Sequence, residues 1–319
     1  MSSDDSTWSP FPRMFHPTLV VEDLEETSQW FGRVFGRKEV RWEEKWDLSL
    51  LNPTYPVNYS YFFVMGDVAI DALCPRLLVL PGGRTAIYPA GEGLVDIAWY
   101  DDDVSGIARI LEKNGFRTRD QEGVIIHDGD VPPANTVWDC PMIWTLPEDS
   151  GLTYEFYHLA ERHRARYARR AAPFLDRDWV PDQVADDDPL GVLGSAHHTI
   201  LTHDRQRALR FYSVVGGQEL GDGYDERLDA EVSYVAYAQS VLKFATPRNG
   251  RINDVLTGEP STQDQYEGIT FRVVDVEKVA AHLDEQQVPY VRHDTGIHTV
   301  PGGSKGVAWG FVPDLAATT

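Results

Sequence analysis

The sequence predicts an α+β fold built from four βαβββ units in two pairs, and three observations carry the prediction. A short strand leading to a helix opened by aspartate occurs four times: His16-Pro17-Thr18-Leu19 leads to Asp23, Asp96-Ile97-Ala98-Trp99 to Asp103, His197-His198-Thr199-Ile200 to Asp204, and Gly268-Ile269-Thr270-Phe271 to Asp275. Each aspartate stands seven residues after the first residue of its phrase, and fixed internal spacing marks repeated supersecondary units. Each helix also meets a stop, at Phe35-Gly36, Asn114-Gly115, Gly216-Gly217 or just before Pro289. Finally, 319 residues suffice for about two domains of roughly 150 residues, so the units are expected as two pairs.

In chain order, residues 1–13, rich in Ser, Asp and Pro, read as a frayed leader. The N-terminal domain is expected over 14–160. In its first unit Asp23 is placed to cap a helix whose first turn carries Glu25 and Glu26, and Leu24, Trp30, Phe31, Val34 and Phe35 recur at helical spacing. Strands are expected at Lys38 to Glu43, Asn58 to Met65 and Val68 to Leu73, with Gly66-Asp67 forming a hairpin between the last two. A Pro- and Gly-rich connection from Leu80 to Gly91 leads to the second unit. That unit has a strand from about Leu94, a helix over Val104 to Lys113, and strands near Gly123 to His127, Thr136 to Cys140 and Leu152 to Phe156. Residues 161–192 read as a helical and acidic linker: Arg162, Arg164, Arg166, Arg169 and Arg170 crowd a solvated helix, and an acidic stretch from Asp182 to Asp188 follows. The C-terminal domain, 193–319, holds the third unit, with a helix over Asp204 to Val214 and strands at Glu231 to Tyr237 and Ser240 to Phe244. The fourth unit ends in a strand over Val307 to Val312.

Composition narrows the function. The net charge of −21, without a clustered basic face, argues against nucleic acid and against an anionic membrane surface. No apolar run approaches the roughly 20 residues that span a bilayer, and the N-terminus lacks a signal pattern, so a soluble cytoplasmic protein is expected. Cys74 and Cys140 form neither a disulfide framework nor a zinc motif and are expected as buried free thiols. Phosphate-loop, dinucleotide and serine-hydrolase signatures do not occur.

Side chains alternate along a strand, so His16, Thr18 and Val20 share one face, while Pro17, Leu19 and Val21 share the face that suits packing under a helix. His16 is thereby left on the concave side. Asp71 and Glu155 each stand as one carboxylate in an apolar strand, and burying an ionised carboxylate is costly unless something positive meets it. Trp42, Trp46, Tyr55, Tyr59, Tyr61, Phe62 and Phe63 crowd the middle of the first unit, as an aromatic-lined cup would require; a plain sheet core is the competing reading.

The openings around His16 and the ending Asp149-Ser150-Gly151-Leu152-Thr153-Tyr154-Glu155-Phe156 resemble those of the vicinal oxygen chelate superfamily, the glyoxalase I, bleomycin-resistance and extradiol-dioxygenase group. The resemblance runs from about Arg13 to Pro313. It implies curved, cup-like sheets, each closed by paired modules around a divalent metal. Carried over by position, it implies His16, Asp96 and Glu155 as metal ligands and Asp71 as a catalytic base or fourth ligand. Histidine is more usual in the family where Asp96 stands, and glutamate where Asp71 stands, which shifts preference toward Fe²⁺, Mn²⁺ or Mg²⁺. The matching C-terminal positions, His197, Lys243, Gly268 and Gly310, cannot complete such a site. His298 lies near the C-terminal cup without a paired acid, so a metal is expected in the first half alone.

The expected function is a metal-dependent lyase or isomerase acting on a small, oxygenated, hydrophobic or aromatic substrate. Extradiol-type ring cleavage and metal-free binding or sequestration are the alternatives. The expected partner is that substrate, and self-association is left open.

Overall fold

The computed structural model describes residues 12–50, 56–80, 84–85, 88, 90–133 and 140–314. Most of the expected leader, Tyr55 and most of the expected strand at Thr136 to Cys140 lie outside the described residues. The first unit comprises β1 (Arg13–Val20), α1 (Leu24–Val34), α2 (Trp42–Lys45), β2 (Ser60–Met65) and β3 (Val68–Leu73), and a small hairpin, β4 (Val79–Leu80) with β5 (Arg84–Thr85), comes after it. The second comprises β6 (Gly93–Tyr100), α3 (Val104–Lys113), β7 (Thr118–Arg119), β8 (Ile125–Ile126), β9 (Met142–Thr145), α4 (Pro147–Ser150) and β10 (Thr153–Tyr157). Helix α5 (Glu161–Arg170) leads to the third unit, made of β11 (Val192–Leu201), α6 (Arg205–Val214), β12 (Gln218–Asp225), β13 (Ala230–Tyr237) and β14 (Ser240–Pro247). The fourth comprises β15 (Gln265–Val273), α7 (Val276–Glu285), β16 (Tyr290–His293), β17 (Gly296–Thr299) and β18 (Ala308–Pro313).

The four spaced aspartates all cap helices. Asp23, Asp103 and Asp204 accept the backbone N–H of Glu26, Gly106 and Arg207, and Asp275 accepts those of Glu277 and Lys278. These bonds satisfy donors that the first helical turn leaves unpaired. The apolar faces of the helices then cover the backs of the strands. Phe31 stacks on Phe63 at 4.1 Å and Tyr154 on Phe211 at 4.7 Å between ring centres, while Phe35 meets Trp309 edge-on at 5.2 Å. One hydrophobic core therefore runs between the two halves.

Strand register repeats as faithfully as the sequence does. Strand β1 lies parallel to β3 and antiparallel to β6, and β6 lies parallel to β10; in the second half β11, β14, β15 and β18 pair in the same pattern. Thr18 faces both Asp71 and Asp96, and Ala98 faces both His16 and Glu155. Thr199 likewise faces Lys243 and Gly268, and Thr270 faces His197 and Gly310. Each half thus carries an internal two-fold that relates His16 to Asp96 and Asp71 to Glu155, or their C-terminal counterparts. A pairing of Tyr266 with Leu94 joins the halves into one sheet.

Two local expectations are corrected, and one strand is added. The segment at Lys38 to Glu43 is not a strand: Val40 makes a single bridge to Phe62, and α2 starts two residues later. Trp42 and Trp46, four apart, bury one face of that turn, while the Glu44 carboxylate accepts the Arg41 N–H at 3.1 Å, so helical spacing prevails over β propensity. Strand β12 had no sequence signal, because it is an exposed edge carrying Gly221 and Gly223 with no apolar alternation. Helix α5 is not fully solvated. Arg162, Arg169 and Arg170 are exposed, but Arg164 is largely covered and donates to the Leu175 carbonyl, and His163 and Tyr167 are buried, His163 stacking on Trp46 at 4.1 Å and Tyr167 meeting Phe15 at 5.1 Å. The two cysteines are buried free thiols, as expected.

Candidate functional site

The concave face of β3, β1, β6 and β10 is the floor of a cavity of about 560 Å³, whose walls include His16, Lys45, Asp71, Tyr88, Trp144 and Glu155. Strand parity divides the aromatic run of the first unit. Trp42, Trp46, Tyr59 and Phe62 line the cavity, whereas Phe63 turns to α1 and the Tyr61 hydroxyl donates to Glu25 at 2.6 Å. Tyr167 adds a wall from α5, and Asp254, Val255 and Gln263 to Tyr266 contribute one from the C-terminal half.

Burial dominates the electrostatics. Glu155 is 4% exposed; the Trp144 indole N–H donates to it at 2.8 Å and the Tyr157 hydroxyl at 2.5 Å. Desolvation, with Asp96 nearby, outweighs those two bonds and raises its pKa to about 8. Asp96 accepts the Tyr88 hydroxyl at 2.6 Å and is raised to about 6, first by burial and then by Asp71. Asp71 is raised by the same burial, against the pull of Lys45. His16 is lowered to about 3 by burial and by Lys45, which leaves its imidazole neutral. Against these carboxylates the described lining sets Lys45 and Arg119, the latter over the Trp144 ring. Asp71 Oδ1 and Asp96 Oδ1 are buried without hydrogen-bond partners.

The structure brings His16, Asp71, Asp96 and Glu155 onto one face, as strand parity implied. As donors they have the hard chemistry that a divalent ion takes, and the two orphaned carboxylate oxygens fit such an ion. Among the described residues no three His, Cys, Asp or Glu side chains form a group able to hold a metal ion as they stand. In the register His16 and Asp96 lie on neighbouring strands, while His16 and Glu155, like Asp71 and Asp96, stand two strands apart. Tyr88, Trp144 and Tyr157 meanwhile hold carboxylate oxygens that a metal would need.

Sequence reasoning missed Lys45, Tyr88 and Trp144. Lys45 carried a weak signal as the one cation in an aromatic run, whereas Tyr88 and Trp144 had none, since their placement depends on tertiary folding. In the C-terminal half Lys243 pairs with Asp225. A side chain at Gly310 would strike Thr270 Oγ1 at 2.5 Å and His298 Nε2 at 2.6 Å, so His298 occupies the space of a fourth donor.

Among solved structures, the chain is similar to the 2,3-dioxygenase LapB from Pseudomonas sp. KL28, with 12% identity, coverage of 95% of this chain and 92% of that one, and a TM-score of 0.56. A variant of 4-hydroxymandelate synthase from Streptomyces coelicolor matches with 14% identity, coverage of 96% and 93%, and a TM-score of 0.57. The chain has the vicinal oxygen chelate fold. A variant of homoprotocatechuate 2,3-dioxygenase from Brevibacterium fuscum shares that fold, at 12% identity, coverage of 95% and 71%, and a TM-score of 0.52. No protein-family model and no curated protein sequence matches the chain. No described helix is long and apolar enough to cross a membrane.

Proposed function

We propose that the N-terminal cup is the active site of an enzyme acting on a small aromatic molecule that carries oxygen substituents. One observation carries this reading: His16, Lys45, Asp71 and Glu155 line one cavity together with the rings of Trp42, Trp46, Tyr59 and Phe62, and Asp96, itself fully buried, accepts a hydrogen bond from Tyr88 of that lining. A plain sheet core would not gather that many ionisable groups, since each costs free energy to bury. Rings of Trp42, Trp46, Tyr59 and Phe62 would sandwich the substrate ring, while protonated Glu155 and neutral His16 supply a proton donor and an acceptor at neutral pH.

This arrangement supports proton-transfer chemistry of the lyase or isomerase type, carried by the chain's own side chains. Extradiol-type ring cleavage is the second reading. It is favoured by the solved structures, since two of the three just described are named as dioxygenases, and by the orphaned Asp71 and Asp96 oxygens. It calls for a divalent ion, Fe²⁺ before Mn²⁺ or Mg²⁺, which His16, Asp96 and Glu155 would hold only after leaving their present partners.

Titrating the protein with catechol, 4-hydroxybenzoate and phenylpyruvate, while monitoring tryptophan fluorescence, should give saturable quenching that Tyr59→Ala weakens. No saturable quenching with any of them would overturn the proposal. Oxygen uptake with catechol after Fe²⁺ loading would favour ring cleavage; exchange of a substrate C–H with deuterated solvent, without oxygen uptake, would favour proton transfer.

A further inference from the structure

One group in the cup is absorbed by neither reaction. Lys45 is 1% exposed, yet its side chain borders the cavity. Its Nζ lies 3.5 Å from the centre of the Phe62 ring and 5.2 Å from that of Trp42, and it has no hydrogen-bond partner. The rings attract a cation, yet the three donors of an ammonium find no acceptor among the described residues, and burial tips the balance toward the amine. Burial lowers its pKa to about 7 although Asp71 opposes the shift, so a large share of the amine is unprotonated at neutral pH. Position in a substrate cavity and desolvation are the conditions that activate a nucleophilic lysine.

We infer that Lys45 condenses with the carbonyl carbon of an aromatic aldehyde or ketone held in the cup, giving an imine; this rests on the reading of the cup as a substrate site. The Nζ lone pair forms the new N–C bond as the C=O π pair moves to oxygen. The oxygen then departs as water with the two protons that the amine gives up, so no oxidant or reductant enters. Asp71 lines the same cavity and is the carboxylate whose charge acts on Lys45. Once its nitrogen takes up a proton, the imine withdraws electrons from the substrate, a service that a metal ion would perform in the second reading.

The test is reductive trapping on the intact chain. Wild-type protein is incubated with 4-hydroxybenzaldehyde or phenylpyruvate and sodium cyanoborohydride and then peptide-mapped by mass spectrometry, while fluorescence quenching reports binding of the same probes without reductant. The expected result is one dominant adduct at Lys45, with at least tenfold preference over Lys243 and Lys305, and its loss in Lys45→Arg and Lys45→Met. Circular dichroism and melting identify whichever variant is folded. Saturable binding with no adduct, or with adducts spread evenly over the lysines, would overturn the role of Lys45 and leave the cup intact. Neither binding nor adduct would overturn the cup as an aromatic site and the Lys45 role with it.

Discussion

Glu155 shows how one residue can be fully legible in position and still depend on the fold for its chemistry. Strand parity puts it opposite Tyr154 and Phe156, and those two pack against the helix side while Glu155 faces the cavity. Its protonation depends instead on the walls, and burial raises its pKa to about 8 from 4.5. The folded chain therefore holds this proton more tightly than the unfolded chain. The stabilisation is complete below the unfolded value of about 4.5 and is lost as pH rises through about 8. Glu155→Gln removes that dependence while keeping the shape. The melting temperature of wild type relative to Glu155→Gln should therefore fall steadily between pH 5 and pH 8, by an amount equivalent to at most a few kcal/mol. A difference that stays flat over this range would show that Glu155 is ionised in the folded protein.

At the scale of elements, two features can be weighed. Asp103 caps α3 through the Gly106 N–H at 2.8 Å, and Asp103→Ala should cost about 1 kcal/mol in urea denaturation, the usual worth of such a cap. Asp23 and Asp204 make equivalent bonds at 2.9 and 3.0 Å and should give similar losses. A cost near zero at all three would mean that tertiary packing alone fixes these helix starts. Helix α5 makes a larger contribution. Tyr167 is 4% exposed and contacts Phe15 and Phe62, so Tyr167→Ala should cost about 3–5 kcal/mol, as for large aromatic truncations in cores. The same change opens a wall of the cavity and should weaken aromatic binding. Unchanged stability and binding would return α5 to the status of a spacer.

The whole molecule depends on close backbone approaches where the halves meet. Gly306 has φ +71°, and a Cβ there would lie 1.8 Å from the Glu92 carbonyl oxygen, whereas a Cβ on Gly302 would meet nothing within 4 Å. Gly306→Ala therefore incurs both left-handed strain and a backbone clash, which cannot be relieved by turning a side chain. It should destabilise the chain by several kcal/mol, while Gly302→Ala should stay within about 0.5 kcal/mol of wild type. Thermal denaturation of the two variants checks this, and equal melting points would argue that the halves separate there at little cost. Because residues 254 to 256 and 263 to 266 also wall the cavity, the Gly306 variant should lose aromatic binding along with stability.

The amino-acid sequence was sufficient for the repeat and for the local geometry that the repeat imposes. A seven-residue spacing fixed four strand-to-helix junctions, the aspartates fixed four caps, and alternation along β1, β3, β6 and β10 put His16, Asp71, Asp96 and Glu155 on one face. These signals are legible because strand parity and helix capping depend on neighbours within a few residues. Long-range packing was needed to set how far apart the four side chains stand, to let Tyr88, Trp144 and Tyr157 hold their oxygens, and to bury Lys45 over the Phe62 ring. Those outcomes arise from contacts between segments far apart in sequence and from desolvation, and neither leaves a periodic trace in the chain. For the same reason the fold could be read from the sequence, whereas the charge balance of the cup depended on burial and partners that only the folded chain provides.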